Sequence, residues 1–566
     1  MNSFLKVLSS AAAIAMVTTS LSIPFANAEE SLSKRMEERK NFIINHLEQR
    51  DPESYEFTSK SSSFQAITAE AVYKQQIDYN QIHEYHFATN GGTFTVEALH
   101  ENADDLLGPD YYIYNMNTGE LVDPYDGKTF RLDEGAYYFV VMGYSEEKTN
   151  YEYTFSGSFL SEPDTVLPKL TVANPSASEV RLAKNSSPNY SVSGTSDADS
   201  LTLSLNGEQV ADLTAPGAFK WDQLVLLPGY NFLVFEAMKP DGNRVTSIYS
   251  VTLPGLSRIQ GKDRYQVSSN ISSTLRDRSF GSGTVIITRG DLYPDAVAGG
   301  PLAGTEDAPI LLTTPKSLPQ SVITELKNIQ PERAIILGGT ASVSPDVEAQ
   351  LKDLGIEEVE RIGGKDRYVV SASIADRVAE SWGESTAIIA SGEAFPDALS
   401  ASTIAGPSGM PILLVRKDGV PASIENFIKN NPQIENYIIV GGTAAVSDAV
   451  GARIKQLRPG LDVDRIGGKD RYEVSVNIAK YAIENRGMDA STLTFARGDL
   501  FPDALSGAPL ANFFYSPLIL TPANKMHDKV NAFLTENSNE IDNMYILGGT
   551  GAVSADVEKK LNSFIK

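Results

Sequence analysis

RIQGKDRY at Arg258–Tyr265 returns as RIGGKDRY at Arg361–Tyr368 and again at Arg465–Tyr472. Two further motifs follow each copy in fixed order. GDLYPDAVAGG (Gly290–Gly300) recurs as GEAFPDALSAS (Gly392–Ser402) and GDLFPDALSGA (Gly498–Ala508). ILGGTASVS (Ile336–Ser344) recurs as IVGGTAAVS (Ile439–Ser447) and ILGGTGAVS (Ile546–Ser554). Three motifs in one order, three times, mark a repeated structural unit. In the first unit, residues 284–288, 309–313 and 333–337 are short, almost wholly apolar runs, and helical patterns open at Pro294, Pro319 and Pro345. A strand apolar on every position is covered on both faces, which requires a parallel sheet with helices on each side. Each unit is therefore predicted to be an α/β module, over 258–360, 361–464 and 465–566.

The boxes Arg-Ile-x-Gly-x-Asp-Arg-Tyr, Phe/Tyr-Pro-Asp-Ala and Gly-Gly-Thr-x-x-Val-Ser are similar to those of the cell-wall-binding repeat type 2 family. That resemblance covers 258–566. It implies non-covalent attachment to an anionic secondary wall polymer, teichoic-acid-like or another polysaccharide, and three modules packed in a pseudo-threefold arrangement with sites near their junctions.

Within the first box, Val267 with Ile271, Val370 with Ile374 and Val474 with Ile478 begin a helix that Asp263, Asp366 and Asp470 would cap. Arg264, Arg367 and Arg471 then stand at a helix N-terminus, where a cation opposes the macrodipole and needs an anion nearby. That anion is either a carboxylate, such as Asp295, or a phosphate or carboxylate of the polymer, which a guanidinium fork suits. The neighbouring Lys262, Lys365 and Lys469 and the leading Arg258, Arg361 and Arg465 are candidates for the same contact.

In the second box, Pro294, Pro396 and Pro502 fit a first helical turn whose positive end Asp295, Asp397 and Asp503 favour. Asp291 with Asp295 could be read as a catalytic pair, but triplication suits a binding lattice rather than an enzyme. Arg289 and Arg497 precede this box while the middle copy has Ser391, so contacts made by these arginines would leave three unequal sites. The third box offers Gly338, Gly339, Thr340, Gly441, Gly442, Thr443, Gly548, Gly549 and Thr550 in a loop ahead of N-cap candidates Ser344, Ser447 and Ser554. Its backbone amides suit an anion or serve as a plain turn. Gln260 departs from Gly363 and Gly467 in the first box.

Upstream, Lys6, the apolar run from Ala11 and Ala26-Asn27-Ala28 read as a signal peptide over 1–28, cleaved after Ala28. Thr18, Thr19, Ser20 and Ser22 cut that run short of a membrane span. Residues 29–60 read as a helical lead-in. From 61 to 162, alternating runs such as Thr93–Val96 and Tyr137–Val141 between glycine turns predict a β-sandwich, resembling small jelly-roll domains. From 163 to 255 a second sandwich, with Leu201–Leu205, the Asn206-Gly207 turn and a core Trp221, resembles bacterial immunoglobulin-like domains. The fold class is thus multidomain, all-β sandwiches followed by three α/β modules.

The chain has no cysteine and a net charge of −24. Residues 258–566 hold 31 basic and 38 acidic groups, or −7, and residues 29–257 hold 16 and 34, or −18. Nucleic acid is excluded as a partner by that acidity, and thiol and Cys-zinc chemistry by the missing cysteines. His83 and His86 point to opposite faces of a strand and make no zinc site. His46, His100 and His527 are isolated, and Asp104-Asp105 and Asp123 to Asp126 read as surface acidity rather than calcium loops. No cofactor is called for. The expectation is a secreted, wall-anchored, non-enzymatic protein; the alternative is a wall hydrolase or amidase modifier active within 29–257.

Overall fold

A computed structural model describes residues 67–566 apart from 78–80, 99–109, 117–119, 123–127, 143–148, 161–163, 214–215, 279–282, 294–296, 383 and 489. The signal peptide, the helical lead-in, His46, His100, both acidic loops and Asp295 lie outside the described residues. The rest divides into two compact units, one built mainly from residues 67–253 and one from 254–566.

The N-terminal unit is all β. Its first part carries an aromatic core in which Tyr73, Tyr85, Phe94, Phe139 and Phe155 are fully buried. Rings there stack and meet edge-on at centroid distances such as 5.3 Å for Phe139 with Phe155 and 5.0 Å for Phe87 with Phe155. Its second part closes Val192, Leu203, Leu233 and Phe235 between a three-stranded sheet and the larger one, with Trp221 packed half-buried against that core. The two sandwiches share one sheet. Strand Arg244–Leu253 pairs antiparallel with Gln81–Ala98, Arg244 opposite Glu84 and Ser247 opposite Gln81.

In the C-terminal unit the strands fall where the apolar runs place them: Thr284–Arg289, Ile310–Thr313 and Arg333–Leu337 in the first module. All are parallel, and Ile286, Ile287, Leu311, Leu312, Ile335 and Ile336 are buried to 2% exposure or less. At roughly 1.5–3 kcal/mol for each such side chain, these strands drive the collapse of the module.

Each of these sheets has four strands, three in the apolar runs and a fourth that the apolar pattern does not mark. Strand Glu358–Ile362, which carries the Arg-Ile of the second copy's first box, completes the first module's sheet. Asp462–Ile466 does the same for the second module. The third sheet is completed by Gly255–Ile259, from the start of the array, lying parallel to Asn543–Leu547. The modules therefore close into a ring.

At the centre of the ring the aromatic of each second box meets the other two. Tyr293, Phe395 and Phe501 form a triangle of centroids 5.4, 5.6 and 5.7 Å apart. Polar locks reinforce each junction. Arg377 and Arg333 share Glu306 and Glu360 between the first and second modules. Arg486 pairs with Glu384 between the second and third, and Arg278 donates to the Tyr545 hydroxyl between the third and first.

Candidate functional site at the module junctions

In every sheet the strand order is second, first, third, fourth, so the chain reverses direction across the sheet between the first and third strands. Ligands of open parallel sheets sit outside the carboxyl ends of the strands at such a switch point. The three boxes occupy those ends. The second box follows the first strand, the third box follows the third strand, and the first box of the next copy follows the fourth.

The helices begin as their caps dictate. Asp263 accepts from the Gln266 amide at 2.9 Å, Asp366 from Tyr368 and Val369, and Asp470 from Tyr472 and Glu473. In return Gln266 and Glu473 accept the amides of Lys262 and Lys469, a reciprocal cap. The ammonium groups of Lys262, Lys365 and Lys469 are left exposed, and among the described residues none is hydrogen-bonded or ion-paired.

The box arginines are fixed within their own module and reach across to a neighbouring one. Arg264 and Arg471 donate to the carbonyls of Gly290 and Gly498 at 2.6 and 2.7 Å, and Arg367 likewise to Gly392. Each guanidinium lies over a central aromatic of a neighbouring module: Arg264 over Phe501 at 5.9 Å, Arg367 over Tyr293 at 5.9 Å and Arg471 over Phe395 at 5.8 Å. Beyond Phe395 and Phe501 is the carboxylate of the same box. Asp397 feels Arg471 and Asp503 feels Arg264, but no ion pair forms between them. The anion that Arg264 requires is thus answered by a carbonyl, an aromatic face and an Asp of the third module.

Burial pushes the Asp397 carboxyl up to about 6, against the opposing pull of Arg471, and raises Asp503 for the same reason. Both prolines open their helices as expected, Pro396–Ala405 and Pro502–Phe513. Asp397 packs against Gly441 and Asp503 against Gly548, where the third-box loop turns at φ of 99° and 92°. A side chain at either glycine would occupy the carboxylate's place.

Arg258, Arg361 and Arg465 turn inward. Arg258 donates to the carbonyls of Gly548 and Val553 at 2.8 and 2.9 Å and pairs with Glu558. Arg361 makes the matching contacts to Gly338, Val343 and Glu348, and Arg465 to Gly441 and Asp448. These three candidates for polymer contact hold the third-box loop of the preceding module. The loops fold on themselves, Val343 donating to Gly339 and Val446 to Gly442, and the amides at Gly339-Thr340, Gly442-Thr443 and Gly549-Thr550 stay uncommitted at the surface. Ser344, Ser447 and Ser554 are the N-caps, but only the Ser554 hydroxyl accepts an amide, from Val557. Gln260 hangs over Gly549, its amide oxygen 3.8 Å from where a Cβ there would stand.

Arg289 and Arg497 bind Asp291 and Asp499 two residues on, Arg497 also reaching the Gly551 carbonyl, which draws both carboxyls below their usual range. His83 is buried against the Tyr151 hydroxyl at 2.9 Å, its pKa pushed down to about 3 by burial, while His86 meets Tyr138 on the other face. His527 caps its helix and pairs with Asp470.

Comparison with known proteins matches the boxes at residues 258–348, 361–451 and 465–558 to the family Cell wall binding domain 2 (CWB2). An N-acetylmuramoyl-L-alanine amidase, LytC, of Bacillus subtilis is 32% identical over 308 residues, 54% of this chain and 58% of the relative. An amidase enhancer of the same organism is 31% identical over 319 residues, 56% of this chain and 42% of the relative. This chain thus spans about half the length of those relatives. The solved structure of Cwp6 from Clostridium difficile shares the fold at 23% identity and a TM-score of 0.52, over 70% of this chain and 68% of that one. Residues 258–558 are three tandem copies of Cell wall binding domain 2.

Proposed function

We propose that the ring of modules anchors an exported chain non-covalently to the Gram-positive wall by gripping an anionic secondary polymer, with the N-terminal β domains as its cargo. The observation that carries this reading is the convergence of three boxes, distant in sequence, at each junction. There an unpaired lysine, a cross-module arginine and two free loop amides share one strand-end face. Such a set recognises phosphate or carboxylate groups spaced along a chain. The test is co-sedimentation of the full chain with isolated walls before and after their secondary polymers are stripped. Binding that survives stripping overturns the polymer assignment.

A second reading is favoured by the relatives' names: a wall hydrolase or amidase modifier, with activity in 29–257. It requires that the purified chain release peptidoglycan fragments or accelerate an added amidase. No change in either assay removes it.

A further inference from the structure

We propose that Arg416 is the second cation of the middle module's polymer site, filling the place that Arg289 and Arg497 hold in the other two. This rests on the polymer-binding reading above.

The phenol that ends each first box, Tyr265, Tyr368 or Tyr472, sits in a recurring set of charges. Around Tyr265 are Asp291, Arg264 and Arg289; around Tyr472 are Asp499, Arg471 and Arg497. Around Tyr368 the acid is Glu393 and the box arginine is Arg367, but the second cation is Arg416. It comes from a different strand. In the sheet register Arg289 lies beside Thr313, Ser391 beside Val415 and Arg497 beside Thr521. Arg416 is the residue after Val415, where the other modules have Thr314 and Pro522.

The turn that follows, closed by the Arg416 amide on the Gly419 carbonyl at 3.1 Å, leaves the guanidinium 5.3 Å from the Tyr368 ring centroid. Ser391 itself is buried and accepts the Glu393 amide, so it supplies no charge. The two solutions differ in one respect. Arg289 and Arg497 are neutralised by an aspartate of their own loop, whereas Arg416 is exposed and makes no ion pair among the described residues. It has no anionic partner among the described residues, which makes the middle site the least self-compensated of the three.

The experiment compares Arg289→Gln, Arg497→Gln, Arg416→Gln and Arg416→Lys in the full chain, with isolated Gram-positive walls as the probe and thermal unfolding as the folding control. Arg416→Gln is expected to weaken binding by about threefold to tenfold, the scale of one charge-assisted contact. Arg416→Lys should recover more than half of that loss, as should adding Ser391→Arg to Arg416→Gln, because Ser391 occupies the position from which Arg289 and Arg497 reach the site. If Arg416→Gln binds like the parent while the other two glutamine variants weaken, the inference is overturned. It is also overturned if neither Arg416→Lys nor Ser391→Arg restores binding. If none of the three glutamine variants weakens binding, the inference is overturned and these arginines lie outside the polymer site, whereas the anchoring reading is overturned only if the parent chain itself binds stripped walls as well as intact ones.

Discussion

Replacing Arg258 by alanine tests whether the ring is closed by a buried lock. The guanidinium is 9% exposed and satisfies two carbonyls, Gly548 and Val553, of the third module from a strand at the start of the first. Leaving each carbonyl without a donor costs about 1–3 kcal/mol. Its partner Glu558 is 32% exposed and rehydrates, so that pair contributes under ~1 kcal/mol. The expected destabilisation is therefore about 2–7 kcal/mol. For a unit of this size it lowers the midpoint by roughly 3–11 °C. Thermal unfolding followed by circular dichroism reads the shift, and amide exchange along Asn543–Leu547 reads where it acts. Arg258→Lys should recover little, because one ammonium cannot fork between both carbonyls. A midpoint within about 2 °C of the parent, with Asn543–Leu547 still protected, would falsify the lock.

Three further outcomes follow from the junctions. Asp397 has a folded-state pKa of about 6 against an ordinary 3.8, so folding favours its protonated form; stability falls as pH rises from about 4 through 6. Asp397→Asn should thus stabilise the chain by up to about 3 kcal/mol at pH 7.5 and by almost nothing at pH 4; equal denaturation midpoints for variant and parent at both pH values would show the carboxylate to be solvated. Gly441→Ala places a methyl on the Asp397 carboxylate at a φ of 99° and should cost about 1–3 kcal/mol, whereas Gly442→Ala, with its nearest neighbour the Gly468 carbonyl at 3.5 Å, should cost far less; similar melting curves for the two would contradict the packing described. Lys365→Ala and Lys469→Ala should weaken wall co-sedimentation at unchanged melting temperature, and moderate salt should weaken it only modestly because the contacts are short-range and partly desolvated; full binding by both variants assigns these lysines to plain solubility.

The modules were legible because their signals are local. Val285–Ile287 is apolar on both faces, Asp263 and Asp470 cap the helices they precede, and Pro396 and Pro502 open theirs. The fourth strand was not. Glu358–Ile362 mixes charge with apolar residues like a surface edge, and nothing in Gly255–Ile259 points to a partner at Asn543–Leu547. Pairing between distant segments leaves no periodic trace, which is also why Arg244–Ser247 gave no hint of joining Gln81–Glu84. The inequality expected from Ser391 takes another form for the same reason, Arg416 being exposed and without an ion pair among the described residues while Arg289 and Arg497 are paired. A cation in space was sought at one position in sequence, and Arg416 came from the adjacent strand.

The placement of Gly255–Ile259 in the third sheet fixes the number of copies. In an open stack of repeats each end presents a free edge, so units are gained or lost one at a time. Here the edge that a fourth copy would use is already taken by the first, and a two-copy array would leave one edge bare and the aromatic triangle without a member. The array therefore obeys the closure rule of a cyclic oligomer written into one chain. Duplication within it has to re-form the whole circle to yield a folded product, and the three copies are free to diverge in sequence, as Ser391 and Arg416 have, only in ways that keep the circle shut.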